Sequence, residues 1–315
     1  MESSHTGYNK IIYDRCVEQY HAIVSSNPAI DAGHSVNHVK KVEQLTYHGL
    51  TQFLELRVNP TNDLKDWITV AYNGDASCLD VPADVGLRVM AASLLHEVGD
   101  SKFNGLVKIP KAEIITLVLQ NVFHDYPKFS HEFTTDIINM IEWAGAATWG
   151  NRIPEGSKIY QLIVRFGDRV EATGIIGIVR TMTFSYVKRA TYPLVREEDD
   201  FPTSFDELEK MAPQARWDHY STYKKPSISG FSHYLDKIVH ISGKDVPIPY
   251  LRDILNDGQK IVKQFVIDFT IVHGKKFNID WILDRIDPVL YNVEVKQLKE
   301  MREVMLKEGC KWITA

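Results

Sequence analysis

An all-α fold is the class this 315-residue sequence predicts. Two observations carry it. Apolar residues recur at spacings of three and four along most of the chain, and no alternating run is long enough for a substantial sheet. In order, Ile12, Cys16, Tyr20 and Ile23 fit one helix face, and Pro28 and Gly33 then interrupt the chain. Val39, Val42 and Leu45 restart a helix that runs to about Leu56. Residues 57–85 contain Asn59-Pro60, Asn73-Gly74-Asp75 and Val81-Pro82. They read as a long connection, either functional or holding short elements. Gly86 to His96 is a buried helix carrying Leu87, Met90, Ala91, Leu94 and Leu95. A polar loop leads to Pro110, well placed just inside the next helix with Ile114, Ile115 and Val118 on its core side. Ser130 is the expected N-cap of a helix bearing Phe133, Ile137, Ile138 and Ile141. Ser157 is the expected cap of one bearing Ile159, Leu162, Ile163, Phe166 and Val170.

Residues 188–226 are the least periodic stretch, with Pro193, Pro202, Pro213, Pro226 and the run Arg196 to Asp200. They read as an irregular surface excursion or lid. Helical spacing returns at Ile228, Phe231, Leu235 and Ile238, again from Leu251 to Phe269, and finally around Val295 to Leu306. The expected organisation is a helical core over 1–273 and a C-terminal helical extension over 274–315.

Composition narrows the chemistry. With 44% hydrophobic and 24% charged residues the chain is ordinarily globular. Its three cysteines, Cys16, Cys78 and Cys310, are too far apart for a CxxC zinc site or a disulfide framework. Any metal must therefore be held by imidazole and carboxylate, drawn from 12 His and 41 acidic residues. The start has no signal pattern, and no stretch approaches the roughly 18 apolar residues of a membrane span. A soluble, intracellular, cytoplasmic protein without membrane contact is expected. A net charge of −5 with scattered Lys and Arg argues against stable nucleic-acid binding. No GxxxxGK[ST], GxGxxG or GxSxG occurs.

Four segments concentrate groups that can do chemistry. In Gly33-His34-Ser35-Val36-Asn37-His38, the two His are four apart, near a helix start. In Leu94-Leu95-His96-Glu97-Val98-Gly99-Asp100, an imidazole and a carboxylate end an apolar helix, a costly arrangement unless both are satisfied. His124-Asp125 and His131 flank a turn at Pro127 and read as solvated. Asp168 lies within an apolar helix, again costly unless paired or ligated.

In order, His38, then His96-Glu97, then Asp168, resembles the H…HD…D metal signature of the HD-domain superfamily of metal-dependent phosphohydrolases. His38-Val39-Lys40-Lys41-Val42 is similar to the first helix of that family, and Leu94 to Asp100 to its LLHDIGD segment. Asp168-Arg169-Val170-Glu171-Ala172-Thr173-Gly174-Ile175-Ile176-Gly177-Ile178-Val179-Arg180 resembles the D-R-L-x-A-x-G-x-x-G-I-x-R string of one subgroup of HD hydrolases. Ser232 to Lys237 is similar to a later H-F/Y-x-x-K-L segment of that subgroup. The likeness spans roughly residues 10–270. One position departs: the metal-binding Asp of the family is Glu97 here, one methylene longer.

The resemblance implies an HD-domain helical bundle that holds a divalent cation (Mn, Co, Ni, Zn, Fe or Mg) on His38, His96, Glu97 and Asp168. It implies hydrolysis of a phosphate ester or anhydride in a small phosphorylated substrate, with a nucleotide as the leading class. Asp100 is then the general acid or base, beside Glu97 as a catalytic carboxylate. His34, Lys102, Arg169 and Lys237 are substrate contacts, and Arg180 is either a structural ion pair or a phosphate contact. A homodimer is compatible with this reading. Two alternatives stand beside it. HD-type di-iron oxygenases need two extra His between the HD pair and the final Asp, where His124 and His131 lie. A binding protein that has lost turnover is the other, motivated by Glu97.

Overall fold

The structure is a computed structural model. It describes residues 8–26, 32–100, 109–188, 190–196, 199–223, 227–269, 279–289 and 291–308. Among these residues the fold is all-α, with no β-strand. The helices are α1 (Tyr8–Ser25), α2 (Val36–Leu56), α3 (Asn62–Ala71), α4 (Val85–Leu95), α5 (Lys111–Val122), α6 (His131–Ala144), α7 (Ala146–Trp149) and α8 (Ile159–Glu171). There follow α9 (Gly174–Val187), α10 (Phe205–Met211), α11 (Gln214–Tyr223), α12 (Gly230–Asp236), α13 (Pro249–Asp268), α14 (Asp280–Leu283) and α15 (Asn292–Glu308). None of them is long and apolar enough to cross a membrane, among the described residues.

The chain divides into two compact units that interleave in sequence. The first comprises Met1–Ile30, Val36–Asp168 and Pro247–Leu251. Its axis is α4, apolar nearly all round and therefore buried all round. Helices α1, α2 and α6 pack against it, and α5 packs on α1 and α6. The inward stripe of α2 is Val39, Val42, Leu45, Leu50 and Phe53, all buried, and His38 lies on the same side at 2% exposure. Helix α8 buries Ile159, Leu162, Ile163 and Phe166. Arg165 is buried among them, donating from Nε to the Trp143 carbonyl at 2.7 Å and from Nη1 to the Arg152 carbonyl at 2.8 Å.

The second unit comprises Asp31–Ser35, Arg169–Val246 and Arg252–Ala315. There α9 packs on the 3-10 turn Ala32–His34 and on α12 and α15. The boundary in sequence falls inside α8, after Asp168.

Local chemistry sets the helix starts. Ser130 accepts from the Phe133 amide at 3.2 Å and caps α6, as its sequence position predicts. Ser157 does not cap α8. Its hydroxyl lies 3.3 Å from the Tyr72 phenol, and the Gln161 side chain instead accepts the Lys158 amide at 2.7 Å. Within 57–85 the chain forms α3, capped by Thr61 accepting from the Leu64 amide, and a 3-10 turn at Ala76–Leu79. Residues 188–226 likewise contain α10, capped by Ser204, and α11. Both pairs of elements are short and carry few buried apolar residues, so their periodicity is faint in the sequence.

Candidate metal centre

Three helices deliver four side chains to one point in the first unit. His38 comes from the first turn of α2, and Asp168 from the last turns of α8. His96 is the residue after α4, still in a right-handed helical conformation, and Glu97 follows in the turn. One donor atom from each of the four lies within 4.8 Å of every other. Nε2 of His38 and Nε2 of His96 are 3.1 Å apart. Oε1 of Glu97 is 3.5 Å from His38 Nε2 and 3.7 Å from His96 Nε2. Oδ1 of Asp168 is 3.7 Å and 3.6 Å from the same two nitrogens.

These separations suit one cation. With ligand bonds of about 2.1 Å, neighbouring donors lie about 3.0 Å apart in an octahedral shell and about 3.4 Å apart in a tetrahedral one. The donor set of two imidazoles and two carboxylates suits Zn, Mn, Fe, Co or Ni, and is harder than any thiolate site. The longer Glu97 still reaches the shared point, because the helix has given way to a turn by that residue.

The tautomer of His96 follows from its partner. The Ser93 carbonyl, 2.7 Å from Nδ1, can only accept, so Nδ1 carries the proton and Nε2 keeps its lone pair toward the cluster. Ser93 is a residue the sequence reading passed over. Its signal was there: a lone hydroxyl in Ala91-Ala92-Ser93-Leu94-Leu95, three residues before His96. Access is one-sided. The side chains of His38, His96 and Glu97 are at most 7% exposed, whereas Asp168 is 23% exposed and faces solvent.

Asp100 does not sit one helical turn beyond His96, because α4 has ended and Gly99 intervenes with a φ of 77°. A side chain at Gly99 would meet Lys111 Cγ at 2.7 Å, so only glycine fits this turn. Asp100 is half-buried, its amide donating to the Glu97 carbonyl at 3.2 Å. Lys102 lies outside the described residues. His34, Arg169 and Lys237 belong to the second unit. There His34 is buried, its ring edge-on to Phe184. Arg169 is 3% exposed and draws down the Asp245 carboxyl against the upward push of burial. Lys237 and Arg180 add to the burial that holds His233 well below the usual imidazole range. Arg180 pairs with Glu171 at 3.3 Å, the structural role. His124 and His131 are exposed, and His131 opens α6 instead of sharing a loop with His124.

The glycines of the Asp168–Arg180 string serve the backbone. Gly174 takes a φ of 66°, and a side chain at Gly177 would meet the Ala172 carbonyl oxygen at 2.0 Å.

No protein-family model matches the chain, and no curated protein matches it. Among the solved structures that resemble it are the following two. One is the crystal structure of a Lactobacillus plantarum protein, a structural-genomics target. It shares 12% identity at a TM-score of 0.50, covering 82% of this chain and 95% of its own. The other is Bacillus subtilis YpgQ in complex with ADP, at 14% identity and a TM-score of 0.47, covering 84% of this chain and 95% of its own. At 12% identity the first likeness is one of fold alone.

Proposed function

We propose that this protein is a metal-dependent phosphohydrolase of the HD-domain type, acting on a small phosphorylated metabolite, with a nucleotide as the leading class. The observation that carries the reading is the convergence of His38, His96, Glu97 and Asp168, the four positions that the family resemblance picks out. Chain order and geometry agree, and residue type departs only at Glu97, although the residues are as much as 130 positions apart in sequence.

In this reading the four side chains hold a divalent cation. Such an ion supplies charge neutralisation for a phosphoryl group and lowers the pKa of water. The chain's own residues do the rest. Ser93 fixes the His96 tautomer, so that the lone pair of Nε2 faces the centre. The buried sides of His38, His96 and Glu97 exclude water, and the exposed edge of Asp168 admits the substrate. Asp100 transfers the proton to the leaving group or takes it from water. Lys102, the one candidate contact outside the second unit, is assigned to the phosphate of the substrate.

The test is metal content by mass spectrometry, with a phosphatase and nucleotide panel under Mn, Co, Ni, Zn, Fe and Mg. Wild type, Glu97→Asp, His96→Ala and Asp168→Ala are compared. The expected result is about one ion per chain and phosphate release by wild type, both lost in His96→Ala and Asp168→Ala. Retention of metal and turnover in the purified alanine variants would sink the assignment. Metal uptake with no turnover would favour the binding-protein reading, and iron with O2-dependent turnover the oxygenase one.

A further inference from the structure

We infer that Thr46 is a positioning residue that joins the three helices carrying the candidate ligands; this rests on the metal-centre reading above. Thr46 is 1% exposed and lies about two turns beyond His38 on α2. Its two branches do different things. The hydroxyl lies 2.7 Å from Ser93 Oγ on α4. The carbonyl of that same Ser93 holds His96 Nδ1. The methyl fills the space opposite Gly167 on α8, where an added Cβ would lie 2.6 Å from Thr46 Cγ2. Gly167 immediately precedes Asp168. One side chain on the His38 helix thus braces Ser93, whose carbonyl holds His96, and sets how closely α8 brings Asp168.

The hydroxyl pair is balanced. Each oxygen has one proton, and each has a backbone carbonyl in reach: Glu43 O at 2.8 Å from Thr46, and Val89 O at 2.7 Å from Ser93. The protons run in one of two directions. Ser93 donates to Thr46 and Thr46 to the Glu43 carbonyl, or Thr46 donates to Ser93 and Ser93 to the Val89 carbonyl. Either way the link between α2 and α4 is kept. Valine at position 46 has the shape of threonine, and Ser93 would still donate to Val89. Thr46→Val therefore removes the brace without leaving a buried donor unsatisfied.

The experiment is a Co2+ titration of the full-length chain, read by affinity and by the visible absorption of the bound ion, with thermal unfolding of the metal-free protein in parallel. Thr46→Val is expected to bind Co2+ about tenfold more weakly, with an altered spectrum and an unfolding temperature close to wild type. Thr46→Ser keeps the hydroxyl but loses the methyl, and is expected to bind between Thr46→Val and wild type. Gly167→Ala alone should weaken binding. Paired with Thr46→Ser, which removes the methyl it would meet, it should recover, giving a non-additive pair. If Gly167→Ala does not fold, Thr46→Val decides. Wild-type affinity and spectrum in Thr46→Val would overturn the inference and leave the metal centre standing. No Co2+ uptake by wild type would overturn the metal reading, and this inference with it.

Discussion

Two buried polar clusters occupy the first unit, and they solve the cost of burial in opposite ways. The first is the group of His38, His96, Glu97 and Asp168. The second joins Arg88 on α4, Asp136 on α6, and Tyr160 and Gln161 on α8. Both draw on α4 and α8, and each pair of positions, Arg88 and His96 or Tyr160 and Asp168, is eight residues apart. That is about 12 Å of helix rise. The second cluster carries its own cation. Arg88 donates to Asp136 at 3.0 Å and to Asp84 at 2.7 Å, and its guanidinium lies 5.1 Å from the Phe133 ring centre. Burial pulls the Arg88 pKa down, but its bonds to the two aspartates outweigh that and raise it. Asp136 also accepts from the Tyr160 phenol at 3.0 Å and from the Gln161 amide. The first cluster instead gathers two carboxylates and two imidazole nitrogens around a common point. The difference teaches how to tell a brace from a site. A cluster that carries its own cation holds helices together, and one whose donors converge on a point could hold a cation from outside.

That contrast can be broken or sharpened by measurement. The largest effect should come from Arg88→Met, which leaves Asp136 buried without its cation. Unfolding stability should fall by roughly 3–5 kcal/mol in chemical denaturation, while metal stoichiometry stays at the wild-type value. Equal loss of metal in that variant would show the two clusters to be one.

Next comes Glu43, on α2 five residues after His38 and 3% exposed. Burial pushes its carboxyl from an ordinary 4.5 up to about 7. The folded state therefore keeps a proton that the unfolded state has released, and stability falls as pH rises from 4.5 to about 7. Glu43→Gln should lack this fall. It should match wild type near pH 4.5 and exceed it by about 3 kcal/mol near pH 8, in paired denaturation curves. Parallel curves across the window would remove burial as the force acting on Glu43.

The metal-linked stabilisation should be somewhat smaller. At an ion concentration a hundredfold above the dissociation constant it amounts to about 2.7 kcal/mol. Thermal unfolding with and without a chelator should show it in wild type and in Arg88→Met, and not in His96→Ala. The smallest effect should be that of Tyr160→Phe, which removes one of several donors to Asp136. About 1–2 kcal/mol of stability should be lost, with the chelator response unchanged.

Much of the site was legible in the sequence because its residues are marked by local improbability. An imidazole and a carboxylate at the end of an apolar helix, or an aspartate inside one, stand out against their neighbours. The order of the four residues, read through the family resemblance, added a pattern no single position had. The brace had no such mark. Arg88 and Asp136 are 48 residues apart and each looks like an ordinary helix-surface charge until the helices pack. At Asp100 the spacing alone misleads about the path of the backbone. Four residues after His96 would be one turn on a continuing helix, but Gly99 turns the chain away first. Helices α10 and α11 were missed, and α3 was anticipated only as a short element within a connection, because each buries too few apolar side chains to leave a clear period.

By itself, the sequence determined the all-α class, the buried α4 and the cap at Ser130, and its resemblance to a known family picked out the four converging side chains. Each is written in short-range terms: a period of three and four, a hydroxyl before a helix, a polar group among apolar ones. Tertiary structure alone decided that Thr46 meets both Ser93 and the space beside Gly167, that Arg88 compensates Asp136, and that the chain interleaves two units. The physical reason is that periodicity says which face of a helix is buried and not which helix covers it. Partners between distant segments are chosen only when side chains compete for the same space and the same protons.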